Sequence, residues 1–98
     1  MDLVFDWDED KARRNLQAHK VSFEEAKTVF NDPFLVTFPD LYHSDEEQRF
    51  LNIGRSSYQR VLVVVHTERE ESVRIISARI ATRHEQRAYE EGDYEGYE

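Results

Sequence analysis

The apolar positions of this 98-residue chain change their period three times, and each change marks a new kind of element. Leu3, Phe5 and Trp7 alternate with Val4 and Asp6, the two-residue period of a short strand. Asp8 then stands where a helix N-cap belongs, and Glu9 and Asp10 fall in the first turn, at the positive end of the helix dipole. The spacing predicts a helix over Glu9–His19, with Ala12, Leu16 and His19 on the buried face and Arg13, Arg14 and Gln17 toward solvent. Ser22-Phe23-Glu24-Glu25 reads as a capping box opening a second helix. Phe23, Ala26 and Phe30 line its buried side, with Val29 adjacent, and Asn31-Asp32-Pro33 ends it.

From Phe34 the period returns to two. Strands are expected over Phe34–Phe38, Glu47–Gly54, Arg60–Thr67 and Val73–Ala81. A polar loop over Pro39–Asp45 carries His43, a turn spans Arg55–Gln59, and a charged tip spans Glu68–Ser72. Val61–Val65 is apolar on both faces, as a central strand should be. Thr82-Arg83-His84-Glu85 is a second capping box and starts a last helix reaching Glu91. The order is strand, two helices, four strands, helix. That predicts an α+β fold, two N-terminal helices and a C-terminal helix packed on an antiparallel sheet. Residues 1–91 are expected to form a single domain, and 92–98 an acidic flexible tail.

Composition narrows the class. The chain has no Cys, which excludes disulfides and thiolate metal sites. Its acidic N-terminus does not look like a signal peptide, and no apolar run reaches membrane-spanning length, so a cytoplasmic protein is expected. A net charge of −8 argues against a polyanionic partner until its distribution is read. Residues 1–48 carry −7 and residues 90–98 carry −5, but residues 49–89 carry +4. A local anion site in the basic segment remains open.

The candidate chemistry is concentrated in that segment. Strict alternation puts Arg74, Ile76, Ala78 and Ile80 on one face of the last strand, and Val73, Ile75, Ser77 and Arg79 on the other. Arg79 sits just before the free N–H groups at Thr82. It is either a phosphate-binding cation or the partner of a carboxylate such as Glu47 or Glu85. Glu47 and Arg49 share a face as a salt bridge, or as a base beside an oxyanion-stabilising cation. Arg83 and Arg87 are i, i+4 neighbours, and Arg74 can snorkel to solvent near the hairpin tip. His19, His43, His66 and His84 show no metal-ligand spacing, so no metal and no cofactor is expected.

Taken in order, the sequence resembles the BrnT family of ribonuclease toxins from bacterial type II toxin–antitoxin systems. The matching pieces are Phe5-Asp6-Trp7-Asp8, Lys11, Asn15, His19, Val21–Ala26, Val29–Pro33, Asp45–Arg49, Gly54-Arg55-Ser56, Arg74–Thr82, Glu85 and Tyr89. The family is similar in fold to RelE-type ribonucleases. The resemblance implies RNA cleavage without metal, and neutralisation by a ribbon-helix-helix antitoxin of BrnA type that also contacts operator DNA. It makes Arg79 the candidate for phosphate stabilisation, assisted by Arg49, with Glu47 or His19 as general base. Lys11, Lys20, Arg74 and Arg83 become candidates for RNA contact, and Tyr89 for stacking or proton donation. A binding module acting only as antitoxin partner and co-repressor is the alternative. The family usually carries Lys-His-Gly where this chain has Ala18-His19-Lys20, so a different turn is expected after the first helix.

Overall fold

A computed structural model describes residues 3–43 and 47–92. The elements are β1 (Phe5–Asp6), α1 (Glu9–His19), α2 (Phe23–Ala26), a 3-10 turn (Lys27–Asn31), β2 (Val36–Pro39), β3 (Arg49–Arg55), β4 (Val61–Glu68), β5 (Val73–Ile80) and α3 (Arg83–Glu91). The strands form one sheet in the order β1–β5–β4–β3–β2. Every pairing is antiparallel except that of β1, which runs parallel to β5 at Phe5 and Asp6. This is the expected α+β architecture with one parallel edge.

Two apolar clusters flank the sheet. Leu62, Val64, Ile75 and Ala78 meet Val21, Phe23, Ala26 and Val29 on the first face. Val36, Phe38, Ile53, Val61 and Val63 meet Ala81 and Tyr89 on the second, under α3. Thr82 and Glu85 form the predicted capping box of α3, and Gly92 closes the helix in the left-handed conformation. The remainder of the tail, and Ser44–Glu46 of the loop, lie outside the described residues.

Several expectations change. In α1 the buried residue is Asn15, while Leu16 and His19 are exposed. The Asn15 amide donates to Ala78 O (2.8 Å) and Val21 O (2.9 Å) and accepts from Ala78 N (3.1 Å). It substitutes for a sheet neighbour where β1 has already ended, and that ladder sets the helix rotation. The second helix makes one α turn and tightens to 3-10. Its capping box is half formed: Ser22 Oγ accepts from Glu25 N, but the Glu25 carboxylate turns inward to Arg60 and Ser56. Charge-assisted bonds to a buried carboxylate outweigh one to a backbone N–H. Phe34 is exposed and the strand begins at Val36. Lys20 takes φ 60°, ψ 31°, the left-handed stop that glycine would supply, so the turn keeps its ordinary geometry despite the lysine.

The largest change lies in β5. Its partners run Ser77 with Val65, then Ile75 with His66, so Ile76 is an extra residue, a β-bulge. The bulge reverses the alternation below it. Ile75 joins Ala78 on the first face, and Arg74, paired across Thr67 with Arg49, moves onto the face that holds Arg79.

Candidate functional site

α3 covers only one end of the second face. Beyond it, Leu51, Val65, Ile76 and Ser77 floor an open cleft of about 370 Å³, with Arg49 and Arg79 on its walls. Asp40, Tyr42 and His43, from the loop after β2, supply the rim. Arg49 opens β3 and Arg79 is the penultimate residue of β5, across the central strand. The cleft thus sets two guanidinium groups, the side chains whose donor fork matches carboxylate and phosphate oxygens, beside an apolar floor.

Arg79 is also half of an ion pair. Its Nη1 and Nη2 donate to Glu85 Oε1 (2.6 Å) and Oε2 (2.7 Å), the bidentate geometry. Glu85 is almost buried, its side chain 6% exposed, and Oε1 also accepts from Thr82 N (2.8 Å). Arg79 keeps 38% of its side chain exposed. The carboxylate of the capping box therefore fixes the guanidinium at the cleft wall without burying it. Of the two readings of Arg79, the structure shows the ion pair, with Glu85 as the partner.

The rim is built by Asp40. Its N–H donates to Arg49 O (2.9 Å), extending the β2–β3 ladder by a residue. Its carboxylate, 8% exposed, accepts from Tyr42 N (3.2 Å) and lies 3.0 Å (Oδ2) and 3.2 Å (Oδ1) from His43 Nδ1. Tyr42 is 86% exposed and the His43 side chain 70% exposed. Sequence reasoning noted His43 only as a loop histidine and passed over Asp40 and Tyr42. The available signal was local: an Asp straight after the strand-ending Pro39, with Tyr and His two and three positions on, is Asx-turn chemistry.

The other sequence candidates stand elsewhere. Glu47 pairs with Arg69 (3.5 Å), away from the cleft. His19 ends α1, which packs at the β5 edge with the first cluster, and is not among the cleft-lining residues. Lys11 and Lys20 also belong to α1 and its cap, Lys20 Nζ donating to Gln17 O (3.0 Å). Arg74 pairs with Asp6 (3.3 Å), and Arg83 is exposed at the first position of α3. Tyr89 is a core residue whose hydroxyl donates to Asp32 Oδ2 (2.6 Å). Burial, then the Asp32 carboxylate, raises the Tyr89 pKa. Asp32 itself is lowered: burial pushes it up, but bonds from Tyr89, Arg55 N and Phe34 N outweigh that.

Two buried polar networks complete the scaffold. Glu25 accepts from Arg60 Nε (3.0 Å), Arg60 Nη2 and Ser56 Oγ (2.7 Å), and these outweigh its burial to lower its pKa. Asn52 donates to Val64 O (2.9 Å) and to His66 Nδ1 (2.7 Å). That bond assigns the ring proton to Nε2, and burial lowers the His66 pKa against the opposing pull of Glu68. Among the described residues, no group of three His, Cys, Asp or Glu side chains could hold a metal ion, and no helix is long and apolar enough to cross a membrane.

Residues 7–85 match the family model described as the ribonuclease toxin, BrnT, of type II toxin–antitoxin systems. Among solved structures, the 1.1 Å crystal structure of the Brucella abortus ribonuclease toxin BrnT superposes with a TM-score of 0.65 at 20% identity. The match covers 84% of this chain and all of that one, and shows a shared fold. No curated protein matches by sequence.

Proposed function

We propose, from the premise that this chain belongs to the family of BrnT ribonuclease toxins of type II toxin–antitoxin systems, that the cleft on the second sheet face is where RNA is cut. A toxin of this kind has an RNA substrate and an antitoxin partner. The observation that carries the reading is the presence of both Arg49 and Arg79 in the lining of one open cleft. In this reading the two guanidinium groups grip the scissile phosphate and stabilise the charge that builds on the phosphorane, without a metal ion. Cleavage follows attack of the ribose 2′-OH, leaving a 2′,3′-cyclic phosphate and a 5′-OH. Tyr42 offers a face on which an unpaired base can stack, which favours single-stranded RNA. Arg74 shares the sheet face of Arg49 and Arg79 and Arg83 opens α3, and in this reading both extend the track for the RNA backbone outside the cleft. Lys11 and Lys20 lie with α1 and add charge farther away. The partner is a BrnA-type ribbon-helix-helix antitoxin, which brings the complex to operator DNA.

The test is cleavage of end-labelled single-stranded RNA by purified protein in EDTA. Cyclic-phosphate ends are expected, with a loss of about 10²–10³-fold in rate for Arg49→Ala. Arg79 is tested as the Arg79→Ala/Glu85→Gln double variant, so that no unpaired buried carboxylate confuses folding with catalysis. Cleavage that requires a divalent metal would overturn the mechanism, and absence of cleavage would overturn the activity. The second reading, an inactive antitoxin partner, is favoured by the hold of Glu85 on Arg79. It expects full antitoxin binding, no cleavage and no growth arrest on expression.

A further inference from the structure

Phosphate binding by two arginines leaves the proton chemistry of the cleft unassigned, since a guanidinium stays protonated. Neither Glu47 nor His19 lines it. One basic side chain that does is His43, and it comes with a carboxylate already in place. The Asp40 oxygens meet Nδ1 at 3.0 and 3.2 Å, and Asp40 is held by its own backbone bond to Arg49 O and by Tyr42 N. We infer that His43 is the general base of the RNA cleavage proposed above, with Asp40 as its positioning residue.

The inference rests on that ribonuclease reading. Asp40 accepts the hydrogen bond from Nδ1–H, which keeps that proton on Nδ1 and leaves the lone pair on Nε2, across the ring. Nε2 removes the proton from the ribose 2′-OH, O2′ bonds to phosphorus, and the bond from phosphorus to O5′ breaks. O5′ takes a proton from solvent water on the opposite side of the phosphorus, and His43 gives its proton up to solvent, so the imidazole ends neutral. The charged groups facing His43 are Asp40 on its own loop, Arg49 from β3 and Arg79 from β5, with Glu85 of α3 behind Arg79.

Single-turnover cleavage of the same RNA is measured from pH 5 to 9 for wild type, His43→Ala, Asp40→Asn and His19→Ala. His43→Ala should lose 10²-fold or more in rate and its acid limb, with RNA binding and melting temperature kept, since His43 is largely exposed. Asp40→Asn should run between wild type and His43→Ala across the profile, with the loss in rate and not in RNA binding, since the ring is kept and only its orientation is loosened. A His43→Ala rate within threefold of wild type, or the same loss from His19→Ala instead, overturns the inference while leaving the ribonuclease reading intact. An Asp40→Asn profile that superposes on wild type removes Asp40 from it. If wild type cuts no RNA at any pH, the ribonuclease reading falls and the inference falls with it.

Discussion

A Cβ placed on Gly54 would lie 2.8 Å from Leu35 Cδ1 and 3.1 Å from Val29 Cβ, so the glycine of Gly54-Arg55-Ser56 is there for close approach of β3 to the 3-10 turn. Gly54→Ala should cost about 1–3 kcal/mol in urea unfolding, the range for overpacking a buried site. Lys20 is the opposite case, a side chain where glycine fits the backbone better. Lys20→Gly should stabilise by about 0.5–1 kcal/mol, read as a higher urea midpoint at unchanged slope. Arg79→Ala alone should cost about 2–3 kcal/mol, because it strands the Glu85 carboxylate, and less than a fully buried pair because the guanidinium is partly wet. The double variant with Glu85→Gln should recover part of that loss.

At the scale of elements, α1 is held by one polar side chain as much as by its apolar face. Asn15 joins α1 to β5 and to the turn before α2 through three bonds. Asn15→Ala leaves the buried groups of Ala78 and the carbonyl of Val21 unpaired and should cost about 3 kcal/mol. Faster hydrogen exchange across α1 than across β3 and β4 would be the matching signature. The bulge at Ile76 is the other decisive element-scale feature. It adds one residue to β5, and so puts Arg74, Arg49 and Arg79 on one face where unbroken alternation would separate Arg74 from Arg79.

Across the whole molecule, the buried ionisable groups act in one direction on the acid side. Glu25 and Asp32 are lowered in the folded state, so their stabilisation is present above ordinary carboxylate values and lost as pH falls through the folded ones. His66 is lowered by burial, so the unfolded chain binds its proton more readily, and stability falls as pH drops below the ordinary imidazole value of 6.5. Stability should therefore decline in two stages from pH 7 to pH 3, followed by chemical denaturation at each pH. Glu25→Gln should lower stability at pH 7 and flatten the second stage. Tyr89 acts oppositely: its raised pKa supports stability that is lost only in strong alkali.

Local chemistry made much of the fold legible. The Asp8 cap, the capping box at Thr82, the break at Pro33 and the doubly apolar Val61–Val65 are short-range signals, and each placed its element within about two residues. The ordered motifs of the family were legible for the same reason, and the cationic middle segment could be read from counting. Burial faces and partners are long-range, and the sequence left them open. Periodicity cannot show a bulge, so it misplaced Arg74. A period of 3.6 favours Leu16 over Asn15, although Asn15 alone can satisfy the bare edge of β5. Two carboxylates were in reach of Arg79, and only the docking of α3 on the sheet at β3 chose Glu85. The same packing left the other end of that face open, with Asp40 and His43 at its rim, so the tertiary structure decided which residues share the cleft.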